Sequence, residues 1–233
     1  MVDVAHIIPP SPDDPPRRPS PVRPWHAAVA LAVAAVVGGG LLVWKPWQSV
    51  TLPEHACWSV LGKDDLKPIA GPDGTVREPV PSEHIATPTK SENASTRSSC
   101  IVWREKGYLL DIDIKPAWAG IDADRAEDAR AGKVTPLDLG AGAVGWVGVS
   151  DENRRQTARL YVRCDFEMRS DYGRPAPQYF DVRVTGDVVD GTSPARVRQA
   201  YADIALKVGR AAATAYECRN TAQLPVAAPR VPS

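Results

Sequence analysis

Four cysteines, Cys57, Cys100, Cys164 and Cys218, are the side chains with the widest chemical range in this sequence. Thiols bind metal, attack electrophiles or oxidise in pairs. Zinc sites draw on close pairs such as C-x-x-C, whereas the separations here are 43, 64 and 54 residues (100−57, 164−100, 218−164). No metal site is therefore expected. A nucleophilic cysteine needs a base, and His55 stands two residues before Cys57. A thiol held outside the cell, where this part of the chain is placed below, is oxidised rather than reactive. An even number of cysteines in an oxidising compartment reads as two disulfides. Of the three pairings, Cys57–Cys218 with Cys100–Cys164 is the expected one. It would tie the first helical turn to the end of the last helix and bridge strands of two hairpins. The first bridge would close more than a hundred residues, worth about 4–5 kcal/mol by chain entropy.

The carboxylates and histidines give less. Asp111 and Asp113 could form a carboxylate pair or a calcium site, but they alternate with apolar residues beside Lys115, and the EF-hand spacing is absent. They read as solvated charges on a strand. Asp122-Ala-Asp124 reads as a helix start, since acids in a first turn complement the helix dipole. Glu78, Glu83 and Asp122 are loop carboxylates that an envelope hydrolase would need for acid chemistry. His6 and His26 precede the apolar run, and His55 and His84 fall in a linker and a loop. H-E-x-x-H, G-x-S-x-G, the Walker loop and G-x-G-x-x-G do not occur. No catalytic or cofactor-binding residue is assigned, and an enzyme is not expected.

What positions these groups is an apolar run from Trp25 to Trp44. Residues 27–44 carry no charge and no proline. As a helix, the run is roughly 30 Å long, the thickness of a bilayer's hydrocarbon core. Trp25, Trp44 and Trp47 stand where indoles settle at the headgroups. Arg17, Arg18 and Arg23 precede the run, and only Lys45 follows closely, which puts the N-terminus in the cytoplasm and the bulk of the chain outside. No small-x-small cleavage site follows the run, so an uncleaved anchor is expected. Ala30, Ala34 and Gly38 form a small-xxx-small stripe that would admit a second copy of the helix. The 28 basic and 28 acidic residues balance, which argues against nucleic acid as a partner.

The chain divides accordingly. Residues 1–24, with eight prolines, form a Pro-rich cytoplasmic tail expected to be disordered. Residues 25–44 span the membrane, and 45–56 form a linker. Residues 57–218 form the extracytoplasmic domain, and 219–233 a disordered C-terminal tail. In the domain, Cys57-Trp58 opens a helical stretch with Leu61, Leu66 and Ile69, ended by Pro68 and the 71–74 turn. A long polar loop runs to Ser99. A hairpin follows, Ser99–Glu105 and Tyr108–Lys115 around Lys106-Gly107, its apolar face carrying Tyr108, Leu110, Ile112 and Ile114. Next come a short helix over 122–131, a weak strand at 143–149 and a second hairpin, 157–168 with 179–188. Its inward residues are Leu160, Val162, Cys164 and Phe166, then Phe180, Val182 and Val184. Arg159, Tyr161, Arg163, Asp165 and Glu167 point to a solvated face opposite Asp181, Arg183 and Thr185. Ser193-Pro194 then starts the strongest helix, with Val197, Tyr201, Ile204, Val208, Ala212 and Ala215 on one stripe. The expected fold class is α+β: an antiparallel sheet with helices packed on one face, in two layers.

The Pro-rich head, the single span, Cys57-Trp58, Cys100-Ile-Val-Trp103 and the closing helix ending in Cys218 together resemble exported single-pass proteins of actinobacteria. The frequent Ala, Arg, Val, Asp and Pro fit that likeness. It is one of layout, and it implies an anchored envelope protein without assigning any site residue. The expected role is a membrane-tethered domain that binds an envelope ligand or protein partner. An envelope hydrolase and a single-pass sensor are the alternatives.

Overall fold

A computed structural model of the 233-residue chain describes residues 29, 31, 33, 49–80, 83–87, 96–105, 107–117, 120–150, 155–164, 177–218 and 223–232. The chain divides into two compact units, Met1–Trp47 and Gln48–Ser233. In the first, Val29, Leu31 and Val33 are helical and exposed. The 1–24 tail, the remainder of the 25–44 span, Trp25, Trp44 and Trp47 and the stripe of Ala30, Ala34 and Gly38 lie outside the described residues. Among the described residues no helix is long and apolar enough to cross a membrane.

The second unit is α+β, built on a seven-stranded antiparallel sheet. Its strands are β3 (Val76–Arg77), β4 (Ser98–Arg104), β5 (Gly107–Ala117), β6 (Gly132–Leu137), β7 (Ala143–Ser150), β8 (Gln156–Arg163) and β9 (Tyr179–Gly186). They lie in the order β3-β4-β5-β9-β8-β7-β6. Two antiparallel meanders therefore meet where β5 pairs with β9. A separate two-stranded ribbon, β1 (His55–Ala56) with β2 (Leu61–Gly62), precedes them. The helices are α1 (Lys63–Ala70), α2 (Ile121–Ala131) and α3 (Pro194–Ala215).

Period-2 alternation gives the sheet its apolar face. Ile112, Val184 and Ala158 sit side by side across β5, β9 and β8, and Ile114, Val182 and Leu160 form the next row. All six are fully buried. The α3 stripe from Val197 to Ala212 covers them, with Leu66 and Ile69 of α1 in the same core. Burying each such side chain contributes about 1.5–3 kcal/mol. One expected position moves. A β-bulge at Val102/Trp103 shifts the register, so Trp103 faces Tyr108 and Leu109 is skipped. Leu109 is then buried beside Leu110, while Tyr108 is exposed.

Several other expectations need correction. Residues 57–60 form a turn rather than a helix start. Cys57, Trp58 and Ser59 are all left-handed (φ 50°, 60° and 61°), and the Val60 N–H closes the turn on the Cys57 carbonyl at 3.0 Å. Three such residues in a row are costly for L-amino acids. Burial of Trp58, the bridge at Cys57 and the Glu78 carboxylate, which accepts from the Cys57 N–H at 2.8 Å, hold them there. Pro68 lies inside α1, and Gly71 (φ +80°) ends it. The loop before Ser99 contributes β3 to the sheet edge. β6 is an unexpected strand that follows α2 with no linker. A Cβ on Gly132 would overlap the Val149 carbonyl, so only glycine makes that passage. Residues 223–232 fold back along α3 instead of trailing away. Arg210 donates to the Leu224 and Pro225 carbonyls at 3.2 and 3.0 Å, and Gln199 accepts from the Val231 N–H at 2.9 Å. Finally, α2 lies on the opposite sheet face from α3, as its contacts below establish. The unit has three layers, not two.

The disulfides are Cys57–Cys100 and Cys164–Cys218, with Cα–Cα distances of 5.4 and 4.9 Å. This overturns the expected Cys57–Cys218 and Cys100–Cys164 pairs. β4 and β8 are three strand spacings apart in the sheet, or about 14 Å. A bridge tolerates only about 7 Å between Cα atoms. The observed bridges close 43 and 54 residues, worth about 4 kcal/mol each by chain entropy. Non-reducing peptide mapping is expected to yield linked fragments holding Cys57 with Cys100 and Cys164 with Cys218. Replacing Cys164 and Cys218 together with Ser should lower stability by about 2–5 kcal/mol in denaturant titration.

Candidate functional site

The polar face of the sheet carries its residues in rows set by the register. One row reads Asp111, Thr185, Thr157 and Gly148 across β5, β9, β8 and β7. The next reads Asp113, Arg183, Arg159 and Trp146, and the third Lys115, Asp181, Tyr161 and Val144. This face was expected to be solvated. Half of it is not. Arg159 is 6% exposed, Asp181 1% and Tyr161 1%.

The cover is α2. It has no buried residue of its own and docks through two carboxylates. Asp124 and Asp128, four residues apart, share one helix face. Asp124 contacts the Arg159 guanidinium at 2.8 Å and accepts from the Tyr161 hydroxyl. Asp128 accepts from the Trp146 indole N–H at 2.8 Å. Beneath them the Arg159 guanidinium donates to Asp181 at 3.0, 3.2 and 2.7 Å. Burial works against the Arg159 charge, but the hydrogen bonds and charge of Asp181 outweigh it and raise its pKa above the ordinary arginine range. Burial, then the hydrogen bond to Asp124, pushes the Tyr161 hydroxyl up as well.

The other half of the face is open. α2 stops short of it, leaving a cleft of about 390 Å³, within the roughly 300–1,000 Å³ usual for small-molecule sites. Thr157, Thr185 and Gly148 line its middle, with Asp111, Asp113 and Arg97 from the β4–β5 side. Ser150, Arg155, Arg183 and Asp128 complete the polar wall. Arg97 is paired with Asp113. Arg183 lies 3.9 Å from Asp128, and that is its one ion pair among the described residues. Asp111 makes no hydrogen bond or ion pair among the described residues, and its pKa is raised by burial first and by neighbouring Asp113 second, against the opposing pull of Arg97, Arg155 and Arg183.

The expected site residues scatter differently. Asp111 and Asp113 are brought into the cleft; Glu78, Glu83 and Asp122 do not line it. The Glu78 carboxylate serves the Cys57 N–H and lies 3.5 Å from the Cys100 sulfur. Cys57, Cys100 and Glu78 cluster as metal ligands do, but both sulfurs belong to a disulfide. His55 and His84 are exposed. Phe166, Asp165 and Glu167 lie outside the described residues. Asp128, Thr157, Arg155, Arg183 and Thr185 are cleft residues that no motif announced. The signal available was the Asp124/Asp128 spacing on a helix without an apolar stripe. Comparison with protein-family models, curated proteins and solved structures gives no match for this chain.

Three variants test this site. Asp181→Ala leaves the Arg159 charge buried alone and should lower stability by about 3–5 kcal/mol, whereas Arg159→Met with Asp181→Leu should lose far less. Chemical denaturation of both reads the difference. Because the folded pKa of Asp111 lies above its ordinary 3.8, its ionisation destabilises the fold. That penalty is absent below pH 3.8 and develops fully as pH rises through the folded pKa. Asp111→Asn should therefore melt higher than the parent at neutral pH, with the gain vanishing below that pH.

Proposed function

We propose that this protein is a membrane-tethered extracytoplasmic domain that binds a small polar ligand of the cell envelope in the cleft beside α2, without turning it over. The observation that carries the reading is the Asp111 carboxylate, which lines a cleft of ligand size and makes no hydrogen bond or ion pair among the described residues. A carboxylate with a perturbed pKa in a cleft marks a candidate functional site. The placement rests on the uncharged run at 27–44, the arginines before it and the cysteines beyond it. The helical state of Val29, Leu31 and Val33 with their apolar side chains exposed supports an anchor. So does the paired state of all four cysteines, which suits an oxidising compartment. The layout shared with exported single-pass proteins of actinobacteria points the same way.

On this reading the full chain fractionates with membranes and resists carbonate extraction. Protease added to intact spheroplasts should remove a C-terminal tag and spare an N-terminal one. Recovery of the chain from the soluble cytosol with four free thiols would refute the placement.

A further inference from the structure

We infer that the cleft ligand is a short zwitterionic peptide, its free ammonium held by Asp111 and its carboxylate by Arg183. This rests on the ligand-binding reading and deepens it. The charges of the cleft set the class. Asp111, Asp113 and Asp128 face Arg97, Arg155 and Arg183, so the site as a whole favours neither a polyanion nor a polycation. Within that balance the partners are unequally satisfied. Asp113 has Arg97. Asp111 makes no hydrogen bond or ion pair among the described residues, Arg97, Arg155 and Arg183 acting on it only from beyond ion-pair distance, and Arg183 has only its 3.9 Å pair with Asp128. A carboxylate and a guanidinium in a half-enclosed site gain most from a molecule bringing one charge of each sign. A neutral ligand would leave Asp111 without a contacting cation and Arg183 with only Asp128.

Spacing sets the length. Asp111 and Arg183 stand diagonally on adjacent strands, about 7–8 Å apart at their Cα atoms. The guanidinium is within 4 Å of Asp128 on the far side and forms no ion pair with Asp111. Two extended residues span about 7 Å, so a dipeptide lying over the strands matches the separation of the two positions. Beside them, Thr185, directly opposite Asp111, and its cross-strand partner Thr157 offer hydroxyls to a peptide group. Gly148, the next position in that row, leaves room above the sheet for the ligand.

Isothermal titration calorimetry of the full chain in detergent micelles tests this, with alanylalanine, N-acetyl-alanylalanine, alanylalanine amide and maltose as probes. Alanylalanine should bind, and blocking either terminus should weaken it by about tenfold or more, the worth of roughly one partly desolvated charge pair. In Asp111→Asn the acetyl penalty should vanish while the amide penalty remains, and Arg183→Gln should show the reverse. Melting curves of both variants separate lost binding from lost fold. Equal affinity for free and blocked dipeptides overturns the proposal. Maltose binding in the absence of dipeptide binding overturns the peptide assignment and leaves the ligand-binding reading standing. Silence from all four probes overturns the peptide assignment, and silence towards a cell-envelope extract as well removes the ligand-binding reading.

Discussion

A guanidinium and a carboxylate buried together on one sheet face set the terms for everything around them. Removing two such charges from water costs several kcal/mol each. Arg159 and Asp181 offset that cost with three mutual hydrogen bonds. The guanidinium then needs further acceptors and the whole pair needs cover. An apolar helix would supply cover without acceptors. α2 supplies both, because Asp124 and Asp128 project from one side of it towards Arg159, Tyr161 and Trp146. The helix is polar all round because its docking surface is polar. The third layer of the fold follows from the ion pair.

This explains which parts of the fold were legible in the residues. Alternation at Ile112 and Ile114, and at Leu160, Val162, Phe180, Val182 and Val184, located both hairpins and their inward faces, since one face is buried against apolar side chains. The α3 stripe and its Ser193-Pro194 start were equally clear. The same alternation misplaced Arg159, Tyr161 and Asp181. Polar residues opposite an apolar face look solvated unless something covers them, and the cover carries no hydrophobic signal. β6 was hidden for a related reason: Gly132 and Pro136 weaken the strand pattern of an edge segment. The cysteine pairs depended on strand order, and order is a property of long-range pairing that spacing along the chain does not encode. The cleft depended on both failures together. It exists because α2 ends where it does, over a face whose cover was not anticipated.

The division of one polar face into a closed and an open half bears on how a site is made rigid. Thr157 and Thr185 in the open half belong to the same two strands as Arg159 and Asp181 in the closed half, two and four residues along. Arg183 stands between them, and Asp128 belongs to both halves, holding the Trp146 indole and facing the cleft. Side chains that line the cleft are thus carried on backbone fixed by side chains that do not. Such support holds the side chains of the cleft in a fixed geometry.

The left-handed turn at Cys57–Ser59 has a mechanical consequence. Tension on the chain from its N-terminal side meets first the two hydrogen bonds that join Thr51 to Gly74 and Val76, then the short β1–β2 ribbon. Both can peel away one bond at a time. Peeling stops at Cys57, where the covalent bridge passes the load sideways into Cys100 on β4, a strand paired along its length with β5. At the other end the Cys164–Cys218 bridge fastens the last turn after α3 to β8. The domain is thus clipped at both margins, and a pull on its N-terminal side is spread through the sheet before it reaches the residues of the cleft.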